Sequence, residues 1–381
     1  MQSRRPKLKV LVTGSRGFIG KNLCVRLRES PELFDVLEFH RDVSKDQLPN
    51  LVLQADIIVH LAGENRPVDV EAFAQVNVGL TEIICSALRA SDRQTPVLFA
   101  SSTQAELENP YGKSKLEAES ILRKLSLESE FPVGIYRLPN VFGKWCKPNY
   151  NSVVATFAHN IANDLPIQIN DSNYELQLVY IDDVVASLID AIRVNFSGVV
   201  EFNVDPVYRI SLGDLAAQLY AFSDCRDSLV VEPVGTGLTR ALYSTYVSYL
   251  PVSQFAYSVE RHEDSRGVFV EMLKTKDSGQ FSFFTAHPGI TRGGHYHHSK
   301  TEKFLVIKGM ARFGFRQIIS NQTHEIVVSG EESQIVETIP GWTHNITNIG
   351  DDELLVMLWA NEIFDREKPD TINCKVDHEE A

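Results

Sequence analysis

From Lys9 to about residue 240, short apolar runs alternate with stretches whose apolar residues recur every three or four positions. KVLVTG is followed by FIGKNLCVRLRES, ADIIVHLAG by AFAQVNVGLTEIICSALRA, and PVLFASS by YGKSKLEAESILRKLSLES, before PVGIYRLPNVFG. Short continuous apolar runs bounded by glycine predict buried strands, and the three-to-four spacing predicts amphipathic helices. Their alternation predicts parallel strands joined by crossover helices, an α/β doubly wound sheet. After LTRALYSTYVSYLPVSQF the pattern changes to short β-rich runs broken by Gly, Pro, Asn and Asp: GVFVEML, QFSFFTA, EKFLVIKG, ARFGFR, HEIVVSG, ESQIVETI, HNITNIG and ELLVMLW. These predict a small antiparallel barrel or jelly roll. The change of pattern places a boundary at 245–252, giving domains 1–247 and 248–381.

Composition narrows the function classes. With 381 residues, 43% of them hydrophobic, the chain has room for two or three folded domains. A net charge of −13 opposes general affinity for nucleic acid or anionic membrane, so any bound phosphate must be met by local groups. The five cysteines are scattered with no C-x2-C pair, which argues against a disulfide framework or a thiolate zinc site and fits a reducing cytoplasm. No apolar run reaches membrane-spanning length, and the N-terminus passes into the first strand without a cleavable apolar region, so no membrane insertion is expected.

Chemistry first shows in KVLVTGSRGFIG, where Gly14, Gly17 and Gly20 fall between a buried strand and a helix. That is the context of a dinucleotide fingerprint: a tight turn, backbone close to a pyrophosphate, close helix packing and a helix N-terminus aimed at the phosphates. The whole loop, with Ser15, Arg16, Phe18 and Ile19, is assigned to cofactor binding. About twenty residues on, where an acidic group would bind the ribose of NAD, the chain reads LEFHRD. Arg41, with Arg16, suits a 2′-phosphate and favours NADPH; the alternative is that Asp42 serves NAD and Arg41 is solvated.

Ser102, at the end of FASS, and Tyr111-Gly-Lys-Ser-Lys115 carry the reaction chemistry. Residues i and i+4 share a helix face, so Tyr111 and Lys115 are neighbours. A nearby ammonium is expected to lower the phenol's pKa toward neutrality and ready it for proton exchange with a carbonyl or alkoxide oxygen. Ser102 would orient that same oxygen, and Lys115 can also hold the nicotinamide ribose. On its own, Y-x3-K more often marks a solvated helix face.

The second half holds GITRGGHYHHSKTEKFLVIKG, which spaces His295, His297 and Glu302 as H-x-H-x4-E, and His344 follows in PGWTHNITN. Side chains two apart on a strand share a face, so the two histidines converge. Three imidazoles and a carboxylate suit a divalent transition metal, most simply Zn2+. The plain alternative is a set of surface histidines.

These motifs carry resemblances. The histidine spacing resembles the first metal motif of the cupin barrels, and P-G-x2-H-x3-N their second with one residue missing. Residues 8–240 resemble the extended short-chain dehydrogenase/reductases, Rossmann-like enzymes acting mostly on nucleotide-linked sugars, with HLAG, NVGLT, RLPNVFG and YIDDV as further landmarks. That resemblance implies that Leu61, Ala62 and Gly63 line the cofactor, that Pro139 sits near the nicotinamide and that Asn140 touches the sugar nucleotide. Ser102 and Tyr111, nine residues apart, are closer than the family usually shows, so the sugar-covering loop is short. HEDSRGVFVEML is similar to the opening of the dTDP-sugar 3,5-epimerases and makes Arg266 and Glu271 substrate candidates; as a simple turn residue, Arg266 would only flank Gly267.

The domain order, with GKWCKPNYNSV and the histidine motif, resembles the bifunctional capsular-polysaccharide enzymes of UDP-N-acetyl-L-fucosamine synthesis. That implies C3 epimerisation of UDP-2-acetamido-2,6-dideoxy-β-L-arabino-4-hexulose by the cupin, then NADPH-dependent reduction of its C4 ketone. Lys144 and Lys147, after Asn140, are candidates for the UDP diphosphate, or else ordinary loop charge. Trp145 or Tyr150 would stack on uracil, although core packing suits the tryptophan better. Tyr296, His298 and His287 are alternatives for the epimerisation base. The short loop leaves room for a partner subunit, so a homodimer is expected. Competing readings are a redox-neutral NAD-retaining 4-epimerase or dehydratase with an accessory cupin, and a non-enzymatic sugar-nucleotide sensor.

Overall fold

The computed structural model describes residues 7–66, 69, 71–264, 267–270, 272–276, 279–362, 365 and 367–377. Along the first half run β1 (Leu8–Thr13), α1 (Phe18–Arg28), β2 (Phe34–Phe39), α2 (Leu48–Gln54), β3 (Ile57–His60), the one-turn α3 (Glu71–Phe73), α4 (Gly79–Arg89), β4 (Val97–Ser102), α5 (Pro110–Ser129), β5 (Val133–Leu138), β6 (Asn140–Phe142), α6 (Val153–Ala162), β7 (Glu175–Tyr180), α7 (Ile181–Arg193), β8 (Val199–Phe202), β9 (Tyr208–Ser211), α8 (Leu212–Ser228), β10 (Val230–Val231) and α9 (Gly237–Val247). The second half adds β11 (Ala256–Ser258), β12 (Arg261–Asp264), β13 (Gly267–Val270), β14 (Lys274–Thr275), β15 (Gln280–Ala286), β16 (Thr291–Tyr296), β17 (Glu302–Lys308), β18 (Met310–Gln317), β19 (Thr323–Ser329), β20 (Gln334–Glu337), β21 (Trp342–Asn348), β22 (Leu354–Ala360) and β23 (Ile372–Asn373).

The chain divides into two compact units that interleave in sequence: residues 1–142, 150–152 and 176–209 in one, residues 143–149, 153–175 and 210–381 in the other. The first unit is built on a six-stranded parallel sheet in the order β2-β1-β3-β4-β5-β8. This is the Rossmann-like doubly wound sheet that the alternating pattern predicts. Val10, Leu11 and Val12 are all buried, as befits a strand covered on both faces. Leu80, Ile84, Ala87 and Leu88 make the buried stripe of α4 against that core.

One predicted helix is broken. AFAQVNVGLTEIICSALRA forms α3, then a π-helical stretch over Ala74–Val78, then α4. The π turn carries Asn77 inward, where its amide bridges other chain segments; such turns recur at functional sites.

The second unit places α6, α8 and α9 together with an all-β region of two five-stranded sheets, β11-β20-β17-β22-β15 and β19-β18-β21-β16-β23. Both sheets are antiparallel throughout. Each β-rich run named from the sequence contains a strand. Phe255, Phe313, Phe315, Val336 and Val356 fill the interior. Beneath α8 and α9 lies a fully charged core: the Glu337 carboxylate accepts from Lys303 Nζ at 2.8 Å, from Tyr243 OH at 2.5 Å and from Arg226 Nη2 at 3.0 Å.

Candidate active site and metal centre

In the first unit, chain entry into the glycine loop is set by β2: the Gly14 amide donates to the Phe39 carbonyl at 2.7 Å. Gly14 has φ +69°, and a Cβ on Gly20 would lie 2.2 Å from the Gly14 carbonyl oxygen, so the turn closes only with glycine at both places. Gly17 caps α1 without a side-chain bond, and the first turn of α1 holds no acidic residue. Its amides are thus available to a pyrophosphate. Ser15 is buried, while Arg16 and Arg41 are exposed at the end of β2; Arg16 pairs with Asp42 at 2.5 Å and Arg41 with Glu64 at 2.5 Å.

At the far side of this loop, His60 spans Thr13 Oγ1 (2.7 Å) and Thr81 Oγ1 (3.0 Å), and burial holds its pKa down at about 3. It is a neutral structural bridge that aligns Leu61, Ala62 and Gly63, with Thr13 Oγ1 accepting from the Ala62 amide at 3.1 Å. Asn77 accepts from the Glu64 amide (2.7 Å) and donates to Ser114 Oγ (2.8 Å). A Cβ on Gly63 would stand 3.3 Å from Lys115 Nζ, which places the lysine amine directly against the HLAG segment.

Ser102 ends β4, and a 3-10 turn, Thr103–Glu106, leads to α5, where Asn109 accepts from the Gly112 amide at 2.8 Å and Pro110 begins the helix. This compact connection explains the nine-residue spacing and brings the Tyr111 hydroxyl to Ser102. The lysine behaves differently from expectation. Lys115 Nζ donates to the Ala100 carbonyl at 2.8 Å, and the phenol of Tyr111 is shifted up, not down, because burial outweighs its hydrogen bond with Ser102. Lys115 itself is lowered to about 8 by burial, with Glu119 acting in the opposite direction.

Glu119 was invisible to motif reading. It is fully buried one turn beyond Lys115; its carboxylate accepts from Ser101 Oγ at 2.5 Å and from Arg137 Nη2 at 2.7 Å. It therefore ties α5 to β4 and β5, the strands that end in Ser102 and lead to Pro139. Beside these ends opens a cavity of about 310 Å³ lined by Thr103, Arg137, Pro139, Gln177, Asn203 and Asp205. Asn140 is exposed and donates to the Gln177 carbonyl at 3.3 Å. Thr103, adjacent to Ser102, escaped the sequence reading; its position after the strand-end serines was the available signal.

The remaining substrate candidates separate. Lys144 is fully buried, with its ammonium 5.4 Å from the centre of the Trp145 ring, so of the two loop lysines only Lys147 presents its charge to solvent. Half-buried Trp145 packs against Gly341, and Tyr150 donates to Glu64 Oε1 at 3.2 Å. Arg266 and Glu271 lie outside the described residues.

In the second unit, His295, His297, Glu302 and His344 converge with one donor atom each, all within 4.8 Å of one another. His295 on β16 is the direct register partner of His344 on β21. A bulge just before it, with Gly293 at φ +94° and Gly294 at φ +78°, re-aims the strand; a Cβ on Gly293 would meet the His344 carbonyl at 2.9 Å. His297 Nε2 lies 3.1 Å from Glu302 Oε2, and His344 Nε2 3.5 Å from the same oxygen. Burial and the neighbouring imidazoles hold His295 at about 3, and Glu302, despite burial, is held well below the carboxylate range by His297 and His344.

His295 and His344 imidazoles that burial holds neutral, an ionised Glu302, and a buried His344 whose ring nitrogens make no hydrogen bond of ordinary geometry are what a divalent cation requires, and with His297 facing the same carboxylate the residues fit one. Lys300 Nζ stands 3.3 Å from Glu302 Oε1 and was not anticipated. Tyr296 and His298 are buried with ring centres 5.5 Å apart, whereas His287 is exposed.

Residues 10–204 match the NAD dependent epimerase/dehydratase family, and residues 262–372 match the polysaccharide biosynthesis C-terminal domain. The chain belongs to the NAD-dependent epimerase/dehydratase family. Among members, it is 58% identical over 369 residues to a UDP-2-acetamido-2,6-beta-L-arabino-hexul-4-ose reductase of Pseudomonas aeruginosa, covering 97% of this chain and 99% of that one. The crystal structure of the capsular polysaccharide assembling protein CapF of Staphylococcus aureus is similar at 40% identity and TM-score 0.63, covering 97% of this chain and all of the other. A UDP-glucuronic acid 4-epimerase of Bacillus cereus, solved with NAD, shares the fold at 20% identity and TM-score 0.50 over 57% of this chain and 84% of its own. Among the described residues no helix is long and apolar enough to cross a membrane.

Proposed function

We propose that this family member is a bifunctional UDP-sugar enzyme. Its residues 248–381, a cupin-type barrel, epimerise C3 of UDP-2-acetamido-2,6-dideoxy-β-L-arabino-4-hexulose, and residues 1–247 reduce the C4 ketone with NADPH. The observation that carries the reading is the hydrogen bond of Tyr111 with Ser102, with Lys115 set against Gly63, in a chain so similar along its whole length to a reductase of that 4-keto sugar. Homodimeric assembly and a cytoplasmic location fit the same reading.

When bound, NADPH would supply the hydride, with Arg16 and Arg41 the residues that would hold its 2′-phosphate, and a Zn2+ would be held by His295, His297, Glu302 and His344 and would supply Lewis acidity. The protein's own groups do the rest. Reduction of a ketone consumes a proton, and the raised pKa of Tyr111 keeps that phenol protonated and ready to donate to the C4 oxygen. Ser102, hydrogen-bonded to the phenol, orients the same oxygen. Lys115, pressed against Gly63, would hold the nicotinamide ribose and would keep positive charge near the developing alkoxide. Asn140 would contact the sugar nucleotide.

The two chemistries belong together because a C4 ketone acidifies the proton at C3, and reduction removes the ketone and so ends the epimerisation. The test is incubation with the 4-keto UDP-sugar in heavy water, with and without NADPH. Tyr111→Phe is expected to stop NADPH oxidation while deuterium still enters C3. Undiminished NADPH oxidation in that variant overturns the assignment of the proton donor. Purified protein that retains NAD and shows no net turnover would instead support a redox-neutral 4-epimerase or dehydratase.

A further inference from the structure

His297 and Glu302 are separated by the short connection His298–Thr301, whose path decides whether the two donors face one point. That path is held from far along the chain. The Asp370 carboxylate accepts from three successive backbone amides, His298 at 2.8 Å, Ser299 at 2.7 Å and Lys300 at 2.7 Å, and from Ser299 Oγ at 3.1 Å. The Asp370 carbonyl accepts from His297 Nδ1 at 2.5 Å, which leaves Nε2 turned toward Glu302. Just beyond it, β23 pairs with β16, setting Asn373 opposite His295 and Ile372 opposite Tyr296. On its other side the connection is tied to α9, where Arg240 donates to Ser299 Oγ and Ser244 Oγ to the Ser299 carbonyl.

We infer that Asp370 is the positioning residue of the metal centre: its carboxylate sets the loop between His297 and Glu302, and its carbonyl sets the tautomer and orientation of the first of these, the His297 ring. With both oxygens on backbone amides it is not itself a ligand. Partners that orient a ligand imidazole commonly contribute 10- to 100-fold, on the order of that range, to metal affinity. The inference rests on the reading of His295, His297, Glu302 and His344 as metal ligands.

The experiment uses the full chain loaded with Zn2+ or Co2+. Metal content after dialysis and affinity by chelator competition are measured for wild type, Asp370→Asn and Ser299→Ala, with circular dichroism and NADPH binding as checks of folding. Asp370→Asn, which leaves the backbone carbonyl on His297 but replaces the carboxylate that accepts from the loop amides, is expected to weaken the metal by roughly tenfold and to change the visible bands of the Co2+ form, with NADPH binding unchanged. Equal affinity and an unchanged Co2+ spectrum overturn the inference while leaving the metal reading intact. Wild type that holds no metal overturns both. Should Asp370→Asn fail to fold, Ser299→Ala, which removes one bond to Asp370 and one to Arg240, carries the test: a several-fold weakening supports the inference, and no change refutes it.

Discussion

Replacing Glu337 with glutamine removes one charge from a group of ions that water does not reach. The side chains of Glu337 and Lys303 are each 1% exposed, and Arg226 is 14% exposed. In Glu337→Gln the Lys303 ammonium keeps the Tyr257 hydroxyl at 3.1 Å but loses its carboxylate partner, and Arg226 keeps the Gln254 carbonyl at 2.5 Å. Breaking a buried pair in this way costs about 3–5 kcal/mol, because a desolvated cation is left uncompensated. For a unit of roughly 200 residues, at about 2–4 °C per kcal/mol, the transition falls by roughly 6–20 °C. Thermal unfolding followed by circular dichroism measures it, with the double variant Lys303→Met, Glu337→Gln as control. The double variant should lie closer to wild type, since a neutral pair leaves less charge stranded. The pH dependence has a definite sign: burial would raise Glu337, but Lys303 and Arg226 outweigh it and lower its pKa. Its contribution is therefore present above the ordinary carboxylate pKa, about 4.3, and is lost as pH falls through the lowered folded value. A loss under 1 kcal/mol by these rough magnitudes, or a double variant worse than the single, refutes the argument.

Lys115 has a folded pKa of about 8, so kcat/KM for NADPH oxidation should fall as pH rises through that value; Glu119→Gln, which removes the charge that raises Lys115, should move this limb to lower pH, and an unmoved limb counts against the coupling. Gly20→Ala would place a methyl 2.2 Å from the Gly14 oxygen and should abolish NADPH binding in a fluorescence titration, whereas full binding would show that the turn can open. A fragment 248–381 lacks Arg226, Arg240, Tyr243 and Ser244 and should melt lower, at equal concentration, than one beginning at residue 210; equal melting would show that α8 and α9 do not support the sheets.

What the sequence by itself determined are the features built from neighbours. A β–turn–α segment with glycines three apart, a Tyr and a Lys one helical turn apart, and two histidines two apart on a strand each place their chemistry through local geometry alone. The alternation of runs likewise carried the parallel sheet and the change to antiparallel strands. Only the tertiary structure decided how those groups are tuned. Lys115 bonds to Ala100 and not to the phenol, and burial raises Tyr111 where a bare helix face would let the ammonium lower it. Glu119 reaches Arg137 across 18 residues, Glu337 reaches Arg226 across 111, and Asp370 reaches His297 across 73, and no short spacing records such pairings. The physical reason is that desolvation and long-range hydrogen bonding depend on what else packs around a residue, which a chain settles only when its distant segments close on one another.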